Sequence, residues 1–164
     1  MRRNDDRFHR WSEGFIGDAN GADKAVQQHF ADRAYGQVIV YCMDNCRNNL
    51  GAWQTKPIRR PGAARDFAYY AAKDRAMAQD AKCGVMLWDA RSKGTLNNIQ
   101  NILDLGKKVL VYFAPEKTFY KLSSESELDV LLQRCDRRVI EEARQQIRRK
   151  VQVDDQFSLH PTHS

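Results

Sequence analysis

Two short stretches of this chain carry residue types suited to holding an anion. The first is Gly17-Asp18-Ala19-Asn20-Gly21-Ala22-Asp23 and the second is Asp89-Ala90-Arg91-Ser92-Lys93-Gly94-Thr95. Each follows a short apolar run and opens a segment with helical spacing. Glycine lets main-chain N–H groups approach a ligand closely. The first turn of a helix leaves N–H donors unpaired and carries partial positive charge. Together these suit phosphate. In the second stretch Ser92 and Thr95 add hydroxyls, Lys93 adds charge, and Asp89 closes the strand. The plainer alternative is that Gly21 and Gly94 permit tight turns while Ser92 or Thr95 caps a helix. Asp18 and Asp23 do not belong to a pure phosphate cradle. Asp23 suits the first turn of its helix, and Asp18 is a candidate acceptor for a sugar hydroxyl.

A third set lies in the segment 62–82. Phe67, Tyr70, Met77, Ala78 and Ala81 share one stripe of a helix, and Asp74 falls on the same stripe. A carboxylate on a buried face needs a partner. Either Asp74 reaches water or a nearby Lys or Arg, or Asp74 and Arg75 stand at the ligand cleft. Phe67, Tyr69, Tyr70 and Trp53 are candidates to stack on a base, with plain core packing as the alternative. Trp88 alternates with Leu87 and reads as packing. No nucleophile–base pair argues for hydrolysis or acyl transfer. Gly17-x-x-x-Gly21 matches neither the P-loop nor the dinucleotide fingerprint.

The elements that must position these residues follow from period and punctuation. Residues 5–13 read as the end of a helix, Gly14–Ile16 as a short strand, and about 21–34 as a helix with Ala22, Val26, His29, Phe30 and Arg33 on one face. QVIVYCM (37–43) is a buried strand, 44–61 a long polar loop with Pro57 and Pro61, and 62–82 a helix. GVMLWD (84–89) is a strand, 95–105 a helix and KKVLVYFA (107–114) a strand, with 117–122 a short extra strand or loop. Ser124-Glu-Ser-Glu127 has capping-box spacing for a helix from about 125. Leu131–Ile147 offers an apolar face for self-association, and residues from 152 on read as a frayed tail.

Strands alternating with helices predict an α/β fold. The expected architecture is a Rossmann-like three-layer parallel sheet of about four or five strands with helices on both faces. In such sheets ligands bind beyond the carboxyl ends of the strands, so both glycine stretches are expected to line one site. The expected organisation is a nucleotide-binding domain over 1–122, a helical extension over 123–151 and a tail over 152–164.

The 164 residues are enough for one domain with a real core, and no apolar run approaches a membrane span. MRRNDDRFHRW lacks the apolar stretch of a signal peptide. A cytoplasmic protein is therefore expected, with Cys42, Cys46, Cys83 and Cys135 as reduced thiols. Cys42 and Cys46 have metal-like spacing, but no second pair completes four ligands, and no cofactor or metal is expected. The net charge of +6 permits contact with nucleic acid or a small anion, or simply a solvated basic surface.

At these motifs the chain resembles the SLOG superfamily, related to bacterial Smf/DprA and plant LOG proteins, and within it the YpsA/YspA-like branch. The resemblance lies in "IGDANGADKAVQQHFA" and in "KDRAMAQDAKCGVMLWDARSKGTLNNIQNILDLGKKVLVYF", covering about residues 14–114. It implies a Rossmann-like fold that binds nucleotides or nucleotide-derived ligands. By motif position, Gly17, Asp18, Gly21, Ala22 and Asp23 would line one side of the site and Ser92, Gly94 and Thr95 the other. The branch opens with a strand, a Gly-Ser-Arg-like turn and a helix; that unit is expected to be missing here, apart from a remnant around "RFHRWSEG". Gly94-Thr95 is followed by Asn98 where the lyase members carry a glutamate. Three functions follow, in this order: a nucleotide-binding sensor or accessory domain; an enzyme cleaving an N-glycosidic or phosphate bond, with Asp18, Asp74 or Asp89 as acid or base; and a nucleic-acid-binding module. A nucleotide-like small molecule is the expected partner, with a homo-oligomer as a second, and no membrane.

Overall fold

The structure, a computed structural model, describes residues 13–60 and 65–145, and for residues 67 and 68 the backbone alone. The helix expected over 5–13 and the tail expected from 152 fall mostly or wholly outside the described residues. The chain is a mixed α/β protein whose strands form two three-stranded sheets, mostly parallel. It divides into two compact units, Met1–Met77 and Ala78–Ser164.

The first unit holds β1 (Gly14–Gly17), α1 (Ala22–Ala31), β2 (Val38–Met43), β3 (Gln54–Ile58) and the first turns of α2 (Phe67–Asp80). β1, β2 and β3 pair in parallel in that order, with Gly17 opposite Tyr41 and Met43 opposite Ile58. β-branched residues make β2 a buried strand, as its composition predicts. Ile16, Val38 and Val40 form a small core, with Val26, Phe30, Tyr35, Cys46 and Trp53 packed against it. The inward side of α1 is therefore Asp23, Val26, Gln27 and Phe30. Ala22, His29 and Arg33, expected on that side, are exposed. Charge and a hydrogen bond between Arg33 and His29 suit them to water.

β3 corrects the reading of 44–61 as one long loop. Gln54-Thr-Lys-Pro-Ile58 has four exposed residues of five, so no apolar alternation marks it. It is an edge strand, where a proline such as Pro57 is tolerated. Cys42 and Cys46 form a disulfide, their Cα atoms 5.0 Å apart, where reduced thiols are expected from the sequence. The turn after β2 brings the two residues within bonding reach. Cys83 and Cys135 are free.

The second unit holds β4 (Cys83–Trp88), α3 (Lys93–Asp104), β5 (Lys108–Phe113), a 3-10 turn (Ala114–Glu116), β6 (Thr118–Leu122), α4 (Glu125–Leu132) and a helix α5 described over 137–145. β4 and β5 are parallel, and β6 returns antiparallel to β5 through Lys117 at φ 50°. Spacing drives α3: Leu96, Ile99, Ile102 and Leu103 fall on one buried side. It stops at Gly106, whose φ of 68° lets its own N–H reach Leu103 and the Lys107 N–H reach Ile102. β4 is not buried on both faces, since Val85 and Leu87 are exposed while Gly84 and Trp88 are buried. Leu128, Leu131, Leu132, Ile140 and Ala143 join Trp88, Val111 and Phe113 in one core. The described apolar residues of 131–147 thus pack largely inside this unit.

Because Phe113 is 1% exposed and meets both Trp88 and Tyr120, truncation opens a cavity. Phe113→Ala is expected to cost about 3–5 kcal/mol. Val130→Ser, at a residue 58% exposed on α4, should change stability by no more than about 0.5 kcal/mol. Urea unfolding followed by tryptophan fluorescence checks both.

Candidate functional site

The first glycine stretch lies where β1 ends and α1 begins. Gly17 leaves room for its neighbours: a Cβ there would lie 2.3 Å from Asp23 Oδ2 and 3.0 Å from Lys73 Nζ, so these side chains would have to shift. Gly21 sits at φ 88°, a conformation glycine adopts without strain, and opens α1. Gly21, at the cap position, has no side chain to cap this helix. Among the described residues, no hydrogen bond takes up the first-turn amides of Ala22, Asp23 and Lys24.

Behind this turn lies a charge cluster. Asp18 is 1% exposed, and a buried carboxylate must be compensated. Arg47, from the chain after β2, does so three times. Its main-chain N–H donates to Oδ2 at 3.1 Å, Nε to Oδ2 at 3.2 Å and Nη2 to Oδ1 at 3.0 Å. Asn48 Nδ2 donates to the Asp18 carbonyl at 2.8 Å and to Asn20 Oδ1 at 3.1 Å. From α2, Lys73 reaches Asp18 Oδ1 at 3.8 Å and Asp74 Oδ1 at 2.7 Å; its side chain is only 5% exposed. Gln27 is fully buried. Its Nε2 donates to the Gly17 carbonyl at 2.8 Å and its Oε1 accepts the Leu50 N–H at 3.1 Å. The Arg47 guanidinium also lies 4.9 Å from the centre of the Tyr70 ring, and the Tyr69 hydroxyl bonds the Asp44 carboxylate.

The acids titrate in opposite directions. Burial alone would raise the Asp18 carboxyl, but the Arg47 hydrogen bonds and the Lys73 and Arg47 charges hold it below its ordinary value. Burial raises Asp23, and the charges of Asp74 and Asp18 add to it; Lys73 and the Ala19 N–H, 3.2 Å from Oδ2, oppose it only in part. Asp18 is therefore a fixed anion, and Asp23 is the acid that keeps its proton to higher pH.

Gly17, Asp18, Asn20, Gly21, Ala22, Asp23 and Asp74 all belong to this one unit. Asp74 finds its partner in the adjacent Lys73, which is the more buried of the two. Arg75 is half-buried on the same helix. Tyr70 carries Arg47 on its ring, whereas Trp53 donates to the Tyr35 carbonyl and packs in the core. Sequence reasoning missed Arg47, Asn48, Gln27 and Lys73. Arg47 and Asn48 sit in an unpatterned polar stretch, and Lys73 is a lysine in a helix rich in small residues. Only the buried side of α1 points to Gln27.

The second glycine stretch belongs to the second unit and serves its own backbone. Asp89 Oδ1 accepts the N–H groups of Arg91 at 2.9 Å and Ser92 at 2.7 Å. Burial tends to raise Asp89, but these bonds hold it below its ordinary value. Ser92 caps α3, its Oγ accepting the Thr95 N–H at 3.3 Å and the Thr95 hydroxyl at 3.0 Å. Lys93 pairs with Glu142 at 3.8 Å, and a Cβ on Gly94 would meet nothing within 4 Å. An open cavity of about 460 Å³ adjoins this turn, lined by Asp89, Arg91, Arg134 and Asp136 among others. Trp88 is buried and donates to the Ser92 carbonyl at 3.2 Å, so it is packing, as its alternation predicts.

Among the described residues, no helix is long and apolar enough to cross a membrane, and no group of three His, Cys, Asp or Glu is placed to hold a metal ion. No family model, curated protein or solved structure matches this chain significantly.

Asp18→Asn is expected to destabilise the protein by about 2–3 kcal/mol at pH 7, since it removes charge-assisted bonds from a buried position. Asp18 has a lowered folded pKa, so its contribution is complete above the ordinary carboxylate range and disappears as pH falls through the folded value. The gap between wild type and Asp18→Asn should therefore close below about pH 4. Asp23 has the opposite sign. Ionising it costs stability at neutral pH, so Asp23→Asn should leave stability at pH 7 unchanged or raised. Urea titrations across pH 3–7 check both signs.

Proposed function

We propose that the first unit binds a phosphate-bearing nucleotide or nucleotide-derived ligand at the carboxyl ends of β1 and β2, as a cytoplasmic sensor or accessory domain. One observation carries this reading: α1 opens at Gly21 with no side chain on its first-turn amides, next to a turn braced by Arg47 and Lys73. Unpaired amides at a helix start bind phosphate oxygens. The second stretch is the weaker candidate, because Asp89 and Ser92 take up its amides themselves. Tyr70, half-buried beside Arg47, supplies an aromatic face for a base. The resemblance of "IGDANGADKAVQQHFA" to the SLOG superfamily supports the same ligand class, and the Rossmann-like architecture belongs to this proposal.

A second reading, cleavage of an N-glycosidic bond, draws on Asp23. Its raised carboxyl suits a general acid better than Asp18, which is tied to Arg47, or Asp74, which is tied to Lys73. Release of free adenine from AMP would select this reading; AMP bound and returned intact selects the sensor.

Ala22→Glu tests the site. Ala22 is exposed in the first turn, so a carboxylate there favours the helix while repelling phosphate. Calorimetric titration with AMP should show binding by wild type and an affinity at least about tenfold lower in the variant, with Tm unchanged or raised. Equal affinities, or no binding of any nucleoside phosphate by wild type, would overturn the proposal.

A further inference from the structure

Cys42 lies in the buried run of β2 with no exposed surface, and Cys46 is half-buried against the core of the first unit. They are four positions apart, so the disulfide closes a ring around only Met43, Asp44 and Asn45. That ring anchors the polar chain that holds the site together. Asp44, at φ 51°, bonds the Tyr69 hydroxyl with its side chain and the Ile58 carbonyl with its N–H. Arg47, the residue after Cys46, supplies the three bonds to Asp18, and Asn48 holds the Asp18 carbonyl.

We propose that Cys42 and Cys46 are a reversible redox pair whose disulfide fixes the grip of residues 44–48 on Asp18 and, through it, the affinity of the ligand site. The affinity part rests on the nucleotide-binding reading above; the grip itself does not. A disulfide closing so short a loop removes little chain entropy, so losing it to a reductant costs the fold little stability. The exchange partner is a small-molecule disulfide such as glutathione disulfide. Cys46, the more accessible, attacks it as a thiolate and expels one glutathione thiolate. Cys42, as a thiolate, then attacks Cys46 Sγ and expels the second. Two protein thiols become one disulfide, one glutathione disulfide becomes two thiols, and the two protons pass to the released thiolates. Excess reduced glutathione reverses both steps.

The test uses the full chain equilibrated in glutathione buffers of graded ratio. Alkylation and peptide mass spectrometry report the Cys42–Cys46 bond, with Cys83 and Cys135 as internal references. Amide exchange across 44–48 reports the grip, and calorimetry with AMP reports affinity. A bond that forms and breaks within the glutathione range is expected. Reduction should speed exchange at Arg47, whose N–H bonds Asp18, by about tenfold or more. It should also change AMP affinity by about fivefold or more. Cys46→Ser should show the reduced behaviour at every ratio. Absence of the bond at all ratios overturns the redox pair, and equal Arg47 exchange with and without it overturns the grip. A redox-dependent exchange rate with equal AMP affinity in both states overturns the coupling to the site. The same exchange difference with no AMP binding in either state overturns the nucleotide reading and leaves the grip standing.

Discussion

A carboxylate that water cannot reach must be answered by fixed charges and donors, and in this chain that carboxylate is Asp18. Almost everything distinctive in the first unit serves it. Residues 44–53, which carry no helix, must still connect two parallel strands. They do so with Arg47 and Asn48 turned onto the β1–α1 turn and Gln27 tied to Leu50. Lys73 comes from α2 to the same carboxylate, and Gly17 stays small so that Asp23 and Lys73 fit beside it. The turn is thereby held from three directions while its helix start is left uncapped. A scaffold so braced keeps donors aimed without spending them, which is what binding a phosphate requires.

The two glycine stretches look alike in composition but differ in how they use their amides. At Asp89–Thr95 the acid precedes the helix by enough residues to fold back on Arg91 and Ser92, and Ser92 then serves as the cap. At Gly17–Asp23 the acid is buried and faces Arg47, and the cap position is a glycine with no side chain to give. The distinction lies in where each aspartate stands relative to its turn, and spacing alone does not reveal what each one faces.

Much of the fold was legible. Short β-branched runs became β2 and β5, Ser92 and Ser124 cap the helices that follow them, and apolar spacing made α3 and α4. β3 was illegible because an exposed edge strand of Gln, Thr, Lys and Pro has no inward face to leave a pattern. The strands were expected in one sheet of four or five, whereas hydrogen bonding sorts them into two of three. Strand pairing is a long-range choice that local composition does not encode. At the site, glycines and acids were visible because turns need them, whereas Arg47 was not. Its role depends on a partner 29 positions away.

The most direct measurement is a double-mutant cycle on Asp18 and Arg47, comparing urea stabilities of Asp18→Asn, Arg47→Met and the two together at pH 7. Because Arg47 answers a buried charge with a two-pronged bond, a coupling energy of about 2 kcal/mol is expected. A coupling of no more than about 0.3 kcal/mol, the level of independent sites, would mean that this pair does not organise the turn.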